Sequence, residues 1–164
     1  MPLLRDARPE DLPRIVEIYN ASIPGRCATA DLEPVTVASR EAWFREHEAS
    51  SFPLWVLERG GALVGWLGLS RFHARPAYAA TAELSVYVAP EAQRKAVATR
   101  LLGAALSRAP QLGLSTLLGL VFGHNDASLR LFAKFGFEEW GQLPRVARLD
   151  GVERDLIIVG RRVD

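Results

Sequence analysis

A chain of 164 residues with 49% hydrophobic residues has the size and apolar content of one packed domain, 1–164, and no repeat, low-complexity tract or linker divides it. Its 20 Lys and Arg balance 19 Asp and Glu, so no overall charge draws it to nucleic acid or to a membrane surface. A single cysteine, Cys27, precludes an internal disulfide, no apolar run reaches the ~18 residues of a membrane span, and no His or Cys has ligand spacing; a soluble protein of the reducing cytoplasm without a metal is expected.

In chain order, Leu3 to Ala7 reads as a short strand, and Pro9, Glu10 and Asp11 open a helix whose apolar face is Leu12, Ile15, Val16 and Tyr19. From Ser22 to Val35 the periodicity fades into a long loop, a kind that is often functional, and Thr36 to Glu48 resumes a helical pattern. Leu54 to Leu57 and Leu63 to Leu69 are apolar runs joined by the hairpin signal Gly60-Gly61, and Ala80 to Val88 is a further strand. Past Pro90, Glu91 to Arg108 is a loop entering a helix with Val97, Leu101, Leu102 and Ala105 on one face. Thr116 to Phe122 is a buried strand, Asp126 to Phe135 a helix ended by Gly136, and a last hairpin turns at Asp150-Gly151. The order β α α β β β α β α β β indicates an α/β (α+β) fold.

Two segments carry chemistry. Val86-Tyr87-Val88 runs through a short turn into Gln93-Arg94-Lys95-Ala96-Val97-Ala98-Thr99, a strand, loop and helix start in series. Free amides of a helix's first turn, the helix dipole and the charges of Arg94 and Lys95 suit an anion such as a pyrophosphate; an ordinary loop with two solvated cations is the plain alternative. Downstream, Asn125 precedes a helix that it could cap, Ser128 lies three residues on, and Lys134 is a surface charge or a ligand.

These residues resemble the GNAT acetyltransferases, whose pattern of Gln or Arg, two residues, Gly, one residue, Gly or Ala is met by Gln93 and Ala98 and departs at Ala96. Alanine there is expected to sit in helical backbone without strain. Asn125, Ser128 and Gly136-Phe137 resemble the family's second CoA segment, which implies that Asn125 holds the pantetheine arm and that Lys134 lies near the nucleotide. Phe132 stands where many members carry a tyrosine proposed as the acid for the leaving thiolate, and phenylalanine cannot fill that role. The run from Arg71 to Val88, with Phe72, His73, Arg75, Tyr78 and Thr81-Ala82-Glu83, is similar to the phosphinothricin acetyltransferase branch, as are Ile18-Tyr19-Asn20 and Trp43-Phe44.

The resemblance implies a GNAT fold, a mixed, mostly antiparallel twisted sheet of about seven strands flanked by about four helices. It also implies acetyl-CoA as co-substrate, a small amino-acid-like amine as acceptor, and a homodimer. Glu83 is then the general base, provided burial raises its pKa above the ordinary ~4.3; a surface glutamate paired with a base is the alternative. Arg75 offers a planar fork for the acceptor's acid group, Phe72 and Tyr78 would wall the pocket or belong to the core, and His73 would contact substrate or stand by. Ser85 shares the face of Glu83 by strand alternation. Amides near Val86 to Val88, freed by a β-bulge, would meet charge on the thioester oxygen. Two other readings compete: a CoA-binding domain without turnover, favoured by Ala96 and Phe132, and acetylation of protein amines.

Overall fold

In a computed structural model that describes residues 1–164, seven strands form one sheet in the order β1-β2-β3-β4-β5-β7-β6. Only β4 and β5 are parallel; every other neighbour is antiparallel. The strands are β1 (Leu3–Asp6), β2 (Leu54–Arg59), β3 (Ala62–Arg71), β4 (Thr81–Val88), β5 (Thr116–Phe122), β6 (Glu138–Leu149) and β7 (Val152–Arg162). The helices are α1 (Leu12–Ala21), α2 (Val37–Arg45), α3 (Val97–Arg108) and α4 (Asp126–Lys134), in the expected order.

Turn chemistry explains the hairpins. Gly60 and Gly61 have φ of 60° and 80°, and Asp150 and Gly151 of 52° and 81°, the pair of left-handed residues a two-residue connection between twisted strands requires. Thr36 caps α2 by accepting from Ser39 N–H (3.1 Å), and Asn125 caps α4 by accepting from Ser128 N–H (3.2 Å). The 9-residue α2 is shorter than the expected 36–48, because the chain beyond Glu46 turns to pair Glu48 with Phe52.

The two faces of the sheet divide the labour. On β3, Gly65 faces α3, where a Cβ would lie 2.6 Å from Val97 Cγ1, while Trp66 faces α1 and donates through Nε1 to Ile15 O (3.2 Å). Register carries this division across to β4: Leu84, Val86 and Val88 share the α3 face, and Glu83, Ser85 and Tyr87, opposite Ser70, Gly68 and Trp66, share the face of α1 and α2. The core cluster spans both layers through Leu67, Leu69, Leu101, Leu102 and Leu117, each at most 0% exposed.

Candidate active site

The parallel pairing of β4 with β5 stops at Glu83↔Leu118. Beyond that point β4 pairs only with β3 and β5 only with β7, so the sheet splits open at its centre. Ladder alternation, fixed by Ala89 N–H to Val64 O (2.9 Å) and Phe72 N–H to Thr81 O (3.3 Å), turns the amides of Val86 and Val88 away from β3 and into the opening. They are the free donors expected at this position, but the cause differs. The β3–β4 register is continuous, without a bulge, and divergence of the strands is what frees them.

The split is a cleft of about 390 Å³ lined by Glu83, Ser85, Val86, Asn125, Ser128 and Phe132 among others. Glu83 sits at its apex, half-buried, and its carboxylate has neither a hydrogen bond nor an ion pair within the chain. Burial pushes its pKa above the usual carboxylate range. This is a half-buried carboxylate without a counter-ion, not a surface glutamate locked to a cation.

A strap covers the cleft. The carbonyls of Arg26, Cys27 and Ala28 accept in turn from His124 Nε2 (2.8 Å), Asn125 Nδ2 (3.3 Å) and Tyr87 Oη (3.2 Å), and Arg26 is paired with Asp150 at 2.7 Å. These anchors come from both sides of the split, so the loop that lacked periodicity spans it. His124 holds this strap, and Cys27 lines the cleft.

The phosphate loop departs from expectation at Ala96. The helix begins at Val97, and Ala96 is its N-cap in left-handed backbone, φ 61° and ψ 20°; Arg94 also has φ 61°. A Cβ in that region is unfavourable, which is why glycine suits the position and why alanine there is strained rather than neutral. Arg94 and Lys95 are exposed and form no ion pair, and left-handed turns of this kind gather successive amides into an anion cradle. Arg59, which sequence reasoning missed, braces the loop: its Nη2 donates to Lys95 O (3.0 Å). In a trans peptide this turns the Ala96 N–H to the opposite side. Val97 is buried and can offer only its amide; Gln93 is exposed, and Ala98 and Thr99 lie in the first turn. Ala96→Gly relieves the strain of about 1–2 kcal/mol but loosens the unfolded chain by about 0.4–1 kcal/mol. The expected result is a Tm higher by about 1–4 °C together with tighter acetyl-CoA binding by calorimetry; a lower Tm contradicts the strain.

The remaining predicted residues divide. Asn125 and Ser128 line the cleft, and Lys134 is exposed at the end of α4 without a partner. Tyr87 lines the cleft with its ring on the α1/α2 face, edge-on to Tyr19 at 5.0 Å. The 71–78 loop is not brought to the cleft. Phe72 and Tyr78 are 45% and 43% exposed and pack on each other at 5.6 Å, His73 Nδ1 accepts from Arg75 N–H (3.2 Å), and Arg75 is exposed. Beside Ser85 the structure gathers Tyr19, Arg40, Trp43, His47 and Trp66. They come from three distant segments, and no local spacing could have joined them.

No group of three or more His, Cys, Asp or Glu is placed to hold a metal ion, and no helix is long and apolar enough to cross a membrane. A sheet split after its parallel pair, with an anion cradle at the following helix, defines a CoA-dependent acyltransferase fold. The model of the acetyltransferase (GNAT) family matches residues 12–137. The chain is 45% identical over 161 residues, 98% of each chain, to YwnH of Bacillus subtilis (strain 168), named as a candidate phosphinothricin acetyltransferase. It is 32% identical over 162 residues, 98% of this chain and 94% of the other, to the L-methionine sulfoximine/L-methionine sulfone acetyltransferase of Pseudomonas paraeruginosa (strain DSM 24068 / PA7). Among solved structures, a GNAT superfamily phosphinothricin acetyltransferase from Sinorhizobium meliloti in complex with acetyl-CoA superposes with a TM-score of 0.92 at 30% identity, covering 98% of this chain and 88% of that one. The chain belongs to the GNAT family of acetyltransferases, enzymes that take their acetyl group from acetyl-CoA.

Proposed function

We propose that the chain acetylates the primary amine of a small amino-acid-like acceptor, of the kind represented by phosphinothricin, methionine sulfone or methionine sulfoximine, with Glu83 as general base. The observation that carries this reading is the unpartnered, half-buried carboxylate at the apex of the split, with its pKa raised by burial. Acetyl-CoA supplies the thioester as electrophile. Amides of the loop from Gln93 to Thr99, with Arg94 and Lys95, hold its pyrophosphate; Asn125 and Ser128 hold the arm, and Lys134 lies toward the nucleotide. The acceptor nitrogen forms the new N–C bond as the C–S bond breaks, and its proton passes to Glu83 directly or through one water. The Val86 and Val88 amides donate to the oxygen on which charge develops. Phe132, buried in the cleft wall, has no proton for the thiolate, which takes one from water.

A screen of free amino acids, methionine sulfone and phosphinothricin for CoA release tests the reading. Turnover concentrated on one or two of them is expected; acetyl-CoA binding without release from any of them overturns it in favour of a non-catalytic module. We also propose a cytoplasmic homodimer. Phe72, Tyr78, Val146 and Val152, 43–57% exposed, provide apolar surface for a second copy to cover. Light scattering at micromolar concentration is expected to give twice the 18.1 kDa chain mass; a monomer mass removes the proposal.

A further inference from the structure

The loop that opens α3 is held against the preference of its own backbone. Arg94 and Ala96 both have φ of 61°, where the Cβ of an L-residue crowds the following carbonyl oxygen. For alanine this crowding costs about five- to thirtyfold in the population of that conformer, a cost that glycine escapes. Such a turn persists only where its surroundings over-determine it.

Those surroundings are the turn end of the β2–β3 hairpin. Val64 O accepts from Ala89 N–H (2.9 Å), and Leu63 O accepts from Arg14 Nε (3.2 Å), while the same arginine pairs with Glu91. These contacts fix the entrance of the loop and engage the carboxylate that would repel an anion there. At the exit, Val97 is buried against Gly65. Between the buried Ala92 and Val97, a single hydrogen bond reaches the turn from another element: Arg59 Nη2 donates to Lys95 O (3.0 Å). Arg59 is the last residue of β2, paired with Ala62 across the Gly60-Gly61 turn, and its side chain bonds to nothing else in the chain. A donor rooted beside so tight a turn has little freedom to follow a moving loop.

The bond sets the direction of the loop's own donors. The amides from Arg94 to Thr99 donate to no group of the chain. Lys95 O and Ala96 N–H are opposite ends of one trans peptide, so a carbonyl held down on the hairpin turns the N–H outward, among the other free amides. With the carbonyl released, Ala96 can leave the crowded well, the peptide rotates, and the cradle loses a donor. A glycine in that place would stay in the well unaided.

We infer that Arg59 is a positioning residue for acetyl-CoA: it holds the Lys95–Ala96 peptide in its anion-binding orientation, and so does in this chain what glycine in place of Ala96 would do by itself. The inference rests on the reading of this loop as the holder of the pyrophosphate. Because that group lies far from the reacting carbonyl, a loosened cradle weakens ground state and transition state alike, which raises KM and leaves kcat in place. Because the brace and the glycine do the same work, the two must also be coupled: Arg59 matters while Ala96 is alanine and matters little once it is glycine.

Calorimetric titration of the full chain, Arg59→Met, Ala96→Gly and the double variant tests this, with CoA as one probe and pantetheine, which lacks the pyrophosphate, as the other. Arg59→Met keeps an apolar stem and removes the donor and the charge. With Ala96 in place it is expected to weaken CoA about five- to tenfold, the lower part of the range the crowding sets. In the Ala96→Gly background the same change is expected to cost about twofold or less. Pantetheine affinity is expected to be the same in all four proteins, and the melting temperature of Arg59→Met to lie within about 2–4 °C of the parent. Equal losses of CoA affinity in both backgrounds would make Arg59 no more than a charge near the phosphates and overturn the inference. So would pantetheine binding that falls in step with CoA, which is the mark of general loosening. A parent that binds CoA no more tightly than pantetheine removes the pyrophosphate reading and the inference with it; a parent that favours CoA, with that preference intact in Arg59→Met, overturns the inference alone.

Discussion

Glu83→Gln is expected to lower turnover by about 10²- to 10⁴-fold, the usual worth of a positioned general base, with acetyl-CoA affinity nearly unchanged. The substitution keeps the shape of a half-buried side chain at the last β4–β5 pair and removes its capacity to take a proton. Raising pH supplies neutral amine without the enzyme, so the variant should recover part of its rate in alkaline buffer relative to the parent. Stability gives an independent readout with the opposite sign. Desolvation raises the folded pKa of Glu83 above its unfolded value, so the carboxylate costs folding free energy once pH exceeds that window, and the cost is absent below the unfolded value of about 4.3. Gln never carries that charge. The variant should therefore melt at the parent's temperature or above it at neutral pH, and the difference should vanish at pH below about 4. A variant that loses thermal stability and keeps most of its activity would make Glu83 a structural residue.

The fold was legible because its punctuation is local. Gly60-Gly61 and Asp150-Gly151 mark their hairpins by backbone chemistry that few other pairs allow, and the apolar spacing of Val97, Leu101, Leu102 and Ala105 sets the buried face of α3. The face of Glu83 was legible for a related reason: strand alternation puts it beside Ser85, and the register keeps it there, while its role as base is a proposal drawn from the family resemblance. The bulge was not, since freed amides can arise from a bulge or from divergence of neighbouring strands, and only the β4–β5 register separates the two. Ala96 misled because alanine is a helix former by propensity, whereas here the bracing of Lys95 O by Arg59 and the burial of Val97 against Gly65 hold the preceding turn in left-handed backbone.

The acceptor side shows the limit most clearly. The segment from Phe72 to Tyr78 gathers aromatic and basic residues in one stretch and so reads as an acceptor contact; within the chain it forms an exposed loop whose rings pack on one another, apart from the cleft. A cavity beside Ser85 is assembled from α1, α2 and β3, with Tyr19, Arg40 and Trp43 brought to Trp66 across the sheet. Single aromatics on a helix face read as core, and these rings do join the core; that they also leave a cavity between them is a property of packing alone.

Asn125 ties the strap to the fold and is proposed to hold the arm of acetyl-CoA, and two substitutions should separate these duties. Its Oδ1 accepts from Ser128 N–H to cap α4, and its Nδ2 donates to Cys27 O on the strap. Asn125→Ala removes both. Loss of a cap costs about 1 kcal/mol and loss of the second bond about as much, so a Tm lower by about 4–8 °C is expected at this chain length. Asn125→Asp keeps an acceptor for Ser128 and places negative charge at a helix N-terminus, where the dipole favours it. It has no donor, however, and turns a carboxylate oxygen toward the Cys27 carbonyl. The strap should loosen and, on the proposed role, the arm of acetyl-CoA should lose its amide partner, while α4 stays capped. The expected outcome is a Tm about 2–4 °C below the parent, one kilocalorie's worth at this size, with KM for acetyl-CoA raised about tenfold or more. Equal melting losses in both variants would show that the strap bond, not the cap, carries the stability of this corner. An Asp variant with the parent's KM would show that the Nδ2 donor serves neither the strap nor acetyl-CoA.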